Sequence, residues 1–307
     1  MVVTTYALER LHAVRELLDS LGAQTYPKVE VIFVAERMRE LADRVTHYAG
    51  RRGLRNLRVV FHEGGGGLSR SRNLGVRAAR GDVIAFIDDD AIAEADWVEQ
   101  IVGVLAEHPS AIGVAGGALP LWEEPSMRWF PEEFFWIISC PVPAWTGVVR
   151  LQPVRNAWGV NMAFRRQAFE GCEFSETFGV SNRGGPEGIK RGLQGDDTEF
   201  CLRLRLKTGR PILFNPRCRV WHKIRRQRLS PQFTRRQAFW DGYTKATIGR
   251  SLDRNGEGKL RFRLSNELTV FRRTLFSLLP RLALQLVTAP ALASRRLVLT
   301  LDVLLHF

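Results

Sequence analysis

The sequence predicts an α/β fold, a mainly parallel sheet flanked by helices, followed by a helical, apolar and basic C-terminal extension. Three observations predict it. Short apolar runs alternate with stretches of helical periodicity through the first hundred residues, which is the pattern of a parallel sheet covered on both faces. One of those runs, VIAFI, leads straight into the three carboxylates Asp88, Asp89 and Asp90. The charge then changes character near residue 217. From Arg217 to Phe307 there are 19 Lys/Arg against 5 Asp/Glu, while the preceding residues hold 26 and 27.

The elements follow in order. Val2 to Tyr6 (VVTTY) reads as a strand. Glu9 to Leu21 carries Leu11, Val14, Leu17, Leu18 and Leu21 at helical spacing. Val29 to Glu36 is a second strand, Met38 to Arg51 a weaker helix, and Leu57 to Glu63 a third strand. Gly64 to Gly67 is read as loop and Ser69 to Arg80 as helix; the fourth strand, DVIAFIDD, precedes a helix from Asp96 to Glu107, with Asp96 expected at its N-cap. From Leu119 to Arg155 periodicity fails and Trp, Phe and Pro accumulate (Trp122 to Trp145), so this is read as an irregular aromatic insertion that either faces a ligand or is ordinary core packing. Ala157 to Phe169 reads as a strand entering a helix, Asp196 to Lys207 as a helix, and Ile212 to Pro216 and Arg219 to His222 as strand-like segments. We place the boundary between an α/β domain, 1–225, and the basic helical extension, 226–307.

Composition limits the classes available. With 307 residues, 45% hydrophobic and 25% charged, the chain can bury a sizeable core. Cys140, Cys172, Cys201 and Cys218 are scattered without a CxxC, which argues against a zinc ribbon and fits a reduced, intracellular setting. A strand-like run directly after Met1 leads us to expect no secretory leader. The formal net charge of +13 lies in the last third, and such a tail seeks phosphate, either nucleic acid or an anionic membrane surface. Thr274 to Ala293 is apolar for 20 residues but interrupted by Pro280, Arg281 and Pro290, and Leu297 to Phe307 spans 11. A spanning helix needs about 20 predominantly apolar residues. The expectation is therefore an interfacial or re-entrant membrane anchor, the alternative being amphipathic helices packed on a soluble body.

Four constellations carry chemistry. Adjacent carboxylates at Asp88, Asp89 and Asp90 raise one another's pKa unless a cation compensates them, and magnesium or manganese suits one or two carboxylates plus substrate phosphate. GGGGLSRSRN, Gly64 to Asn73, allows close backbone approach and puts Arg70 and Arg72 where they can face phosphate or a base; it is neither a Walker loop nor a dinucleotide fingerprint. In GDDTEFCLRL, Asp196 and Asp197 open a helix, one as a cap or as a general base for an acceptor hydroxyl. His222, ending VWH, is either structural or an imidazole partner for a cation beside Asp90.

The ordered set VVTTY, VEVIFVAE, GLSRSRNLG, VIAFIDDD, GVNMAFRR, GDDTEFCLRL and VWHK resembles the family-2 glycosyltransferases of the GT-A fold, over roughly Val2 to Lys223. The resemblance implies a GT-A type, Rossmann-like domain that transfers sugar with inversion from a nucleotide-diphospho-sugar donor. It implies that Thr5 and Tyr6 border the nucleotide, that Arg72 and Asn73 lie near base and diphosphate, and that Asp88 faces the ribose. It further implies that Asp90 carries Mg2+ or Mn2+ with His222, and that Asp197 is the base, Asp196 standing in the preceding acidic position; Asp89 is a further candidate. It departs from the family's pattern at Thr4, where a proline is usual, and at Ala35-Glu36-Arg37-Met38, where D-D-G-S is usual, so Glu36 is expected to take over the base contact. Gln232 to Arg236 matches the processive Q-x-x-R-W only in part, so transfer of one sugar is expected. The tail leads us to expect a glycolipid or other saccharide acceptor at the cytoplasmic membrane face, peripherally bound or held by a short C-terminal anchor. The similarity extends to archaeal-type glucuronosyltransferases acting on dolichyl-phosphate sugars. The competing readings are a basic phosphate- or nucleic-acid-binding module, without any nucleic-acid motif in the chain, and a metal-dependent nucleotidyltransferase, which would release pyrophosphate.

Overall fold

In the computed structural model, residues 1–64, 67–141, 150–179, 193–254 and 272–306 are described. Strands β1 (Val2–Thr5), β2 (Val31–Glu36), β3 (Leu57–His62) and β4 (Val83–Ile87) form the parallel half of the sheet. Every residue of β2 is buried, the signature of a strand covered on both faces. The sheet continues through β5 (Ala91–Ala93), β6 (Gly113–Trp122), β7 (Gln152–Val154), β8 (Asn161–Arg165) and β9 (Ile212–Ile224). The order is β3-β2-β1-β4-β8-β6-β9-β5, with β7 also on β9. Antiparallel pairing of β8 with β4 sets Asn161 opposite Ile87, and pairing of β5 with β9 sets Ala91 opposite His222.

Helices form where the apolar period demands them. In α1 (Leu11–Gly22) the buried residues include Leu11, Val14, Leu17, Leu18 and Leu21, the stripe read from the sequence. Helix α2 (Arg39–Arg52) stops at Gly53, whose φ of 68° is open to glycine. Helix α3 (Gly67–Ala78) starts earlier than its expected Ser69, so Gly67 opens a helix instead of extending a loop; Gly65 and Gly66 lie outside the described residues. In α4 (Trp97–Glu107), Asp96 holds the N-cap position but makes no side-chain cap bond. Helix α5 (Asp196–Thr208) begins after Gly195 at φ 76°, with Asp196, Asp197 and Glu199 in the first turn, where the helix dipole favours negative charge.

The structure also departs from the sequence reading. The strands β5, β6 and β7 were not expected; β6 takes Leu119 to Trp122 out of the irregular insertion. The two segments around Pro216 are one continuous strand, β9. Ala157 to Phe169 yields a strand, Asn161–Arg165, followed only by a 3-10 turn, Arg166–Phe169.

Two compact units divide the chain: Met1–Ala118 with Arg150–His222, and Leu119–Val149 with Lys223–Phe307. Within the second, 3-10 turns at Pro125–Trp129 and Glu132–Ile138 precede α6 (Pro231–Arg254), α7 (Leu279–Thr288) and α8 (Pro290–His306). The insertion's aromatics pack on one another: the Trp122 and Phe135 rings meet edge-on at 5.7 Å, and Phe130 stacks on Phe135 at 6.3 Å. Trp145 lies outside the described residues. Helices α7 and α8 and the turn before them expose Phe276, Leu284, Val287, Val298 and Leu305. Among the described residues no helix is long and apolar enough to cross a membrane. All four cysteines are buried.

One buried amide ties the first unit's sheet together. Asn161 Nδ2 donates to the Gly117 and Cys218 carbonyls, both at 2.9 Å, and Oδ1 accepts from Trp97 Nε1 at 2.9 Å. Gly116 permits this, because a Cβ there would fall 2.3 Å from Asn161 Nδ2 and 2.1 Å from the Cys218 carbonyl. Replacing Asn161 with Leu leaves two carbonyls and an indole N–H unpaired in the core, at about 1–3 kcal/mol for each group. Asn161→Leu is expected to lower the melting temperature by about 6–12 °C, on the basis of roughly 3 kcal/mol lost and 2–4 °C per kcal/mol. Differential scanning calorimetry measures it, and an unchanged melting temperature refutes the account.

Candidate active site

The site forms at the carboxyl ends of β1, β2 and β4, where open α/β sheets bind ligands. After β4 the chain turns through Asp88 to Asp90, with the Ala91 N–H closing on the Asp88 carbonyl at 3.1 Å. It then enters β5, which runs antiparallel to β9 and brings residue 91 opposite residue 222. From Cys218 to His222, β9 alternates buried and exposed, so His222 faces inward with Cys218 and Val220. The result is a buried contact between residues far apart in sequence: His222 Nε2 lies 3.1 Å from Asp90 Oδ1. One ligand atom from each of Asp88, Asp90 and His222 falls within 4.8 Å of the others. Two carboxylate oxygens and an imidazole nitrogen are a donor set suited to a hard divalent cation. Asp88, expected towards the ribose, thus also stands among the candidate ligands.

Asp89 faces a different partner. The Arg10 guanidinium, on the turn after β1, makes a short ion pair with Asp89 and lies 3.6 Å from Asp90, and it sits 5.5 Å over the Tyr6 ring. Burial pushes the Asp89 pKa up to about 6; Arg10 pulls it down, Asp90 raises it, and the buried Thr5 hydroxyl lowers it. Burial opposes charge on Arg10 too, yet Asp89 and Asp90 outweigh it and raise its pKa.

Arg72 joins the two acidic groups. Its Nη1 donates to Asp196 Oδ2 at 2.6 Å, and its Nη2 lies 3.6 Å from Asp88 Oδ1. Burial works against its charge, but Asp196, Asp88 and Asp197 prevail and raise its pKa. The guanidinium sits 5.6 Å from the Phe174 ring, part of a cluster in which Phe174 stacks on Phe200 at 4.3 Å. Asp197, only half-buried, is held by backbone: Oδ2 accepts from the Gly159 N–H at 2.7 Å and Oδ1 from the Thr198 N–H at 2.6 Å. Burial and then the Asp196 charge push its pKa up to about 6, against Arg72 and those two N–H groups.

The remaining expected residues fall nearby with distinct partners. Glu36, buried at the end of β2, accepts from Ser71 Oγ at 3.3 Å, and Ser71 Oγ lies 3.2 Å from His62 Nε2. Among the described residues, His62 Nδ1 is buried and has no hydrogen-bond partner. Asn73 is committed to the backbone of Phe174, donating to its carbonyl at 2.8 Å and accepting its N–H at 2.9 Å.

Sequence reasoning missed Arg10, Gly159 and Ser69. Ser69 Oγ donates to the Phe178 carbonyl at 2.6 Å and lies 3.4 Å from Asp196 Oδ2. A Cβ on Gly159 would lie 2.2 Å from Arg72 Nη2, so only glycine lets the guanidinium pass. The available signal for Arg10 was electrostatic: several aspartates in an apolar setting require a guanidinium, and Arg10 follows the first strand by one short turn.

Comparison with known proteins agrees with this architecture. Residues 1–172 match the family described as Glycosyl transferase family 2. The glucosyl-dolichyl phosphate glucuronosyltransferase of Haloferax volcanii is 33% identical over 248 residues, covering 81% of this chain and 76% of that protein. Among solved structures, the mannosyltransferase PcManGT of Pyrobaculum calidifontis, in complex with GDP-Man and Mn2+, superimposes with a TM-score of 0.62 at 17% identity, covering 99% of this chain and 85% of that one. TarS 1–349 of S. aureus, in complex with UDP, gives 0.51 at 15% identity, over 82% and 70%. The likeness to these structures supports the GT-A fold, and the family match over more than half of the chain completes the assignment: this protein belongs to glycosyltransferase family 2 and is a glycosyltransferase.

Proposed function

We propose that the protein moves a single sugar, with inversion, from a nucleoside-diphosphate sugar to a hydroxyl of a lipid-phosphate-linked saccharide at the cytoplasmic membrane face. The observation that carries this reading is that one guanidinium, Arg72, bridges Asp88, which groups with Asp90 and His222, and Asp196, the neighbour of Asp197. Asp88, Asp90 and His222 would hold Mg2+ or Mn2+. A cation bound there supplies positive charge against the diphosphate leaving group.

The chain's own residues do the rest. Asp197 takes the proton from the acceptor hydroxyl as that oxygen attacks the anomeric carbon. Two backbone N–H bonds fix its carboxylate, and its raised pKa makes it a stronger base than an exposed aspartate. A single base with no second carboxylate acting as nucleophile gives inversion. Arg72 holds Asp196 and Asp88 by compensating their charges and adds positive charge beside the diphosphate. Glu36, Ser71 and His62 form a polar wall at the ends of β2 and β3, suited to a nucleobase edge. The name of the Haloferax relative, an enzyme acting on glucosyl-dolichyl phosphate, favours a lipid-phosphate acceptor, as do the basic tail and the exposed apolar residues of α7 and α8.

Two tests address the roles. Asp197→Asn is expected to lower kcat by roughly 10²–10⁴-fold with donor affinity retained. A base works only when deprotonated, so the wild-type rate should fall as pH drops through about 6, the value to which burial raises Asp197. Survival of that acid limb in the residual rate of Asp197→Asn refutes the assignment. For the cation, Asp90→Ala and His222→Ala should each weaken Mn2+ binding by about tenfold or more, measured by electron paramagnetic resonance. Wild-type Mn2+ affinity in both variants would remove these residues from the metal site.

A further inference from the structure

We infer that the second unit holds a lipid phosphate, one phosphate head on one hydrocarbon chain, in two adjoining clefts. The inference deepens the acceptor reading above and rests on it. The first cleft, about 800 Å³, is lined by Arg225, Arg226 and Arg295 with Gln227 and Ser230. The second, about 430 Å³, is lined mainly by Trp129, Leu229, Pro231, Val298 and Leu299. Both clefts share Trp129, Leu229, Pro231 and Arg295, and the Arg295 guanidinium lies 4.0 Å over the Trp129 ring at their junction.

Charge separates the two. Among the described residues Arg225 and Arg295 have no carboxylate partner, and the Arg226 guanidinium is 3.9 Å from Glu124. The carboxylate lining the basic cleft, Glu123, accepts the Arg226 backbone N–H at 2.8 Å. The carboxylate of the apolar cleft, Asp302, is paired with Arg235 at 3.0 Å. One cleft therefore presents guanidinium forks that match phosphate, and its neighbour presents apolar surface, with Val298 57% exposed. A free anion leaves the apolar cleft wet, and an uncharged hydrocarbon leaves the arginines unmatched. A single amphiphile satisfies both. In sequence, Arg225 follows the candidate metal ligand His222 by three residues.

Calorimetric titration of the full chain with decyl phosphate below its micellar concentration tests this, alongside inorganic phosphate, decanol, and phosphatidylcholine vesicles with and without phosphatidylglycerol. Expected is saturable one-to-one binding of decyl phosphate, at least about tenfold tighter than of inorganic phosphate or decanol. Arg225→Gln with Arg226→Gln should weaken decyl phosphate about tenfold and leave decanol unchanged, whereas Val298→Asp should weaken both, with circular dichroism confirming folded variants. Equal affinity for inorganic phosphate, binding to vesicles alone, or an unaffected double arginine variant overturns the site. Metal-dependent hydrolysis of nucleotide sugars separates the two readings. Hydrolysis without decyl phosphate binding sinks the lipid site alone, and binding without hydrolysis supports the site while sinking the proposed donor.

Discussion

The buried guanidinium of Arg72 is the interaction on which the rest of the site depends. Asp88, on the turn after β4, and Asp196, at the start of α5, belong to segments more than a hundred residues apart, and both face it. Two unit charges 4 Å apart interact by about 4 kcal/mol at an effective dielectric of 20, so the carboxylates repel strongly without a cation between them. Leaving a buried ion without its partner costs a comparable amount, about 3–5 kcal/mol. The protein meets this demand with a charge that cannot be switched off, since Asp196, Asp88 and Asp197 raise the Arg72 pKa above an already high value. Gly159 leaves the space, and the Phe174 ring supplies a face for the guanidinium.

The three consecutive aspartates then acquire different surroundings in the turn that follows β4, which the Ala91 N–H closes on the Asp88 carbonyl. Asp88 and Asp90 come together with His222 while Asp89 turns to Arg10. The separation explains why D-x-D spacing, and not the number of carboxylates, matters for a cation: the middle residue is neutralised by protein. The same logic distinguishes Asp196 from Asp197. Asp196 is tied to Arg72, whereas Asp197 accepts only backbone N–H bonds and a weak one from its neighbour Thr198, which fixes its direction and leaves its basicity high.

Whatever was legible in the sequence was local. The stripe of α1, the apolar runs of β1, β2 and β4, and the aspartates at a strand end follow from periodicity and from the tendency of parallel strands to carry ligands at their carboxyl ends. Strand β6, GVAGGALPLW, was not legible, because its glycines erase the alternation that marks a strand and its place between β8 and β9 is fixed by pairing alone. Arg10 escaped for a related reason. The turn ALER looks like any helix entry, and only the fold brings it to a carboxylate 79 residues away. Asn161 stood inside a recognisable apolar segment, yet its value lies in three partners on three other elements. His222 was the easier case, since alternation along β9 already turns it inward.

The division of charge along the chain has a physical reason of its own. A site built from five aspartates and two arginines keeps a formal excess of negative charge, which suits a divalent cation, although the sequence before residue 217 is nearly neutral as a whole, with 26 basic and 27 acidic residues. The last third lacks that balance. Among the described residues most of its arginines are exposed, and the second unit also leaves apolar side chains such as Phe276 and Val287 exposed. Unbalanced cationic charge beside exposed hydrocarbon is unfavourable in water for the hydrocarbon and nearly neutral for the cations, so it persists where an anionic, apolar partner covers both. On the proposed reading, the first unit compensates its buried carboxylates for the donor and the second leaves an open, cationic surface for a lipid-borne acceptor.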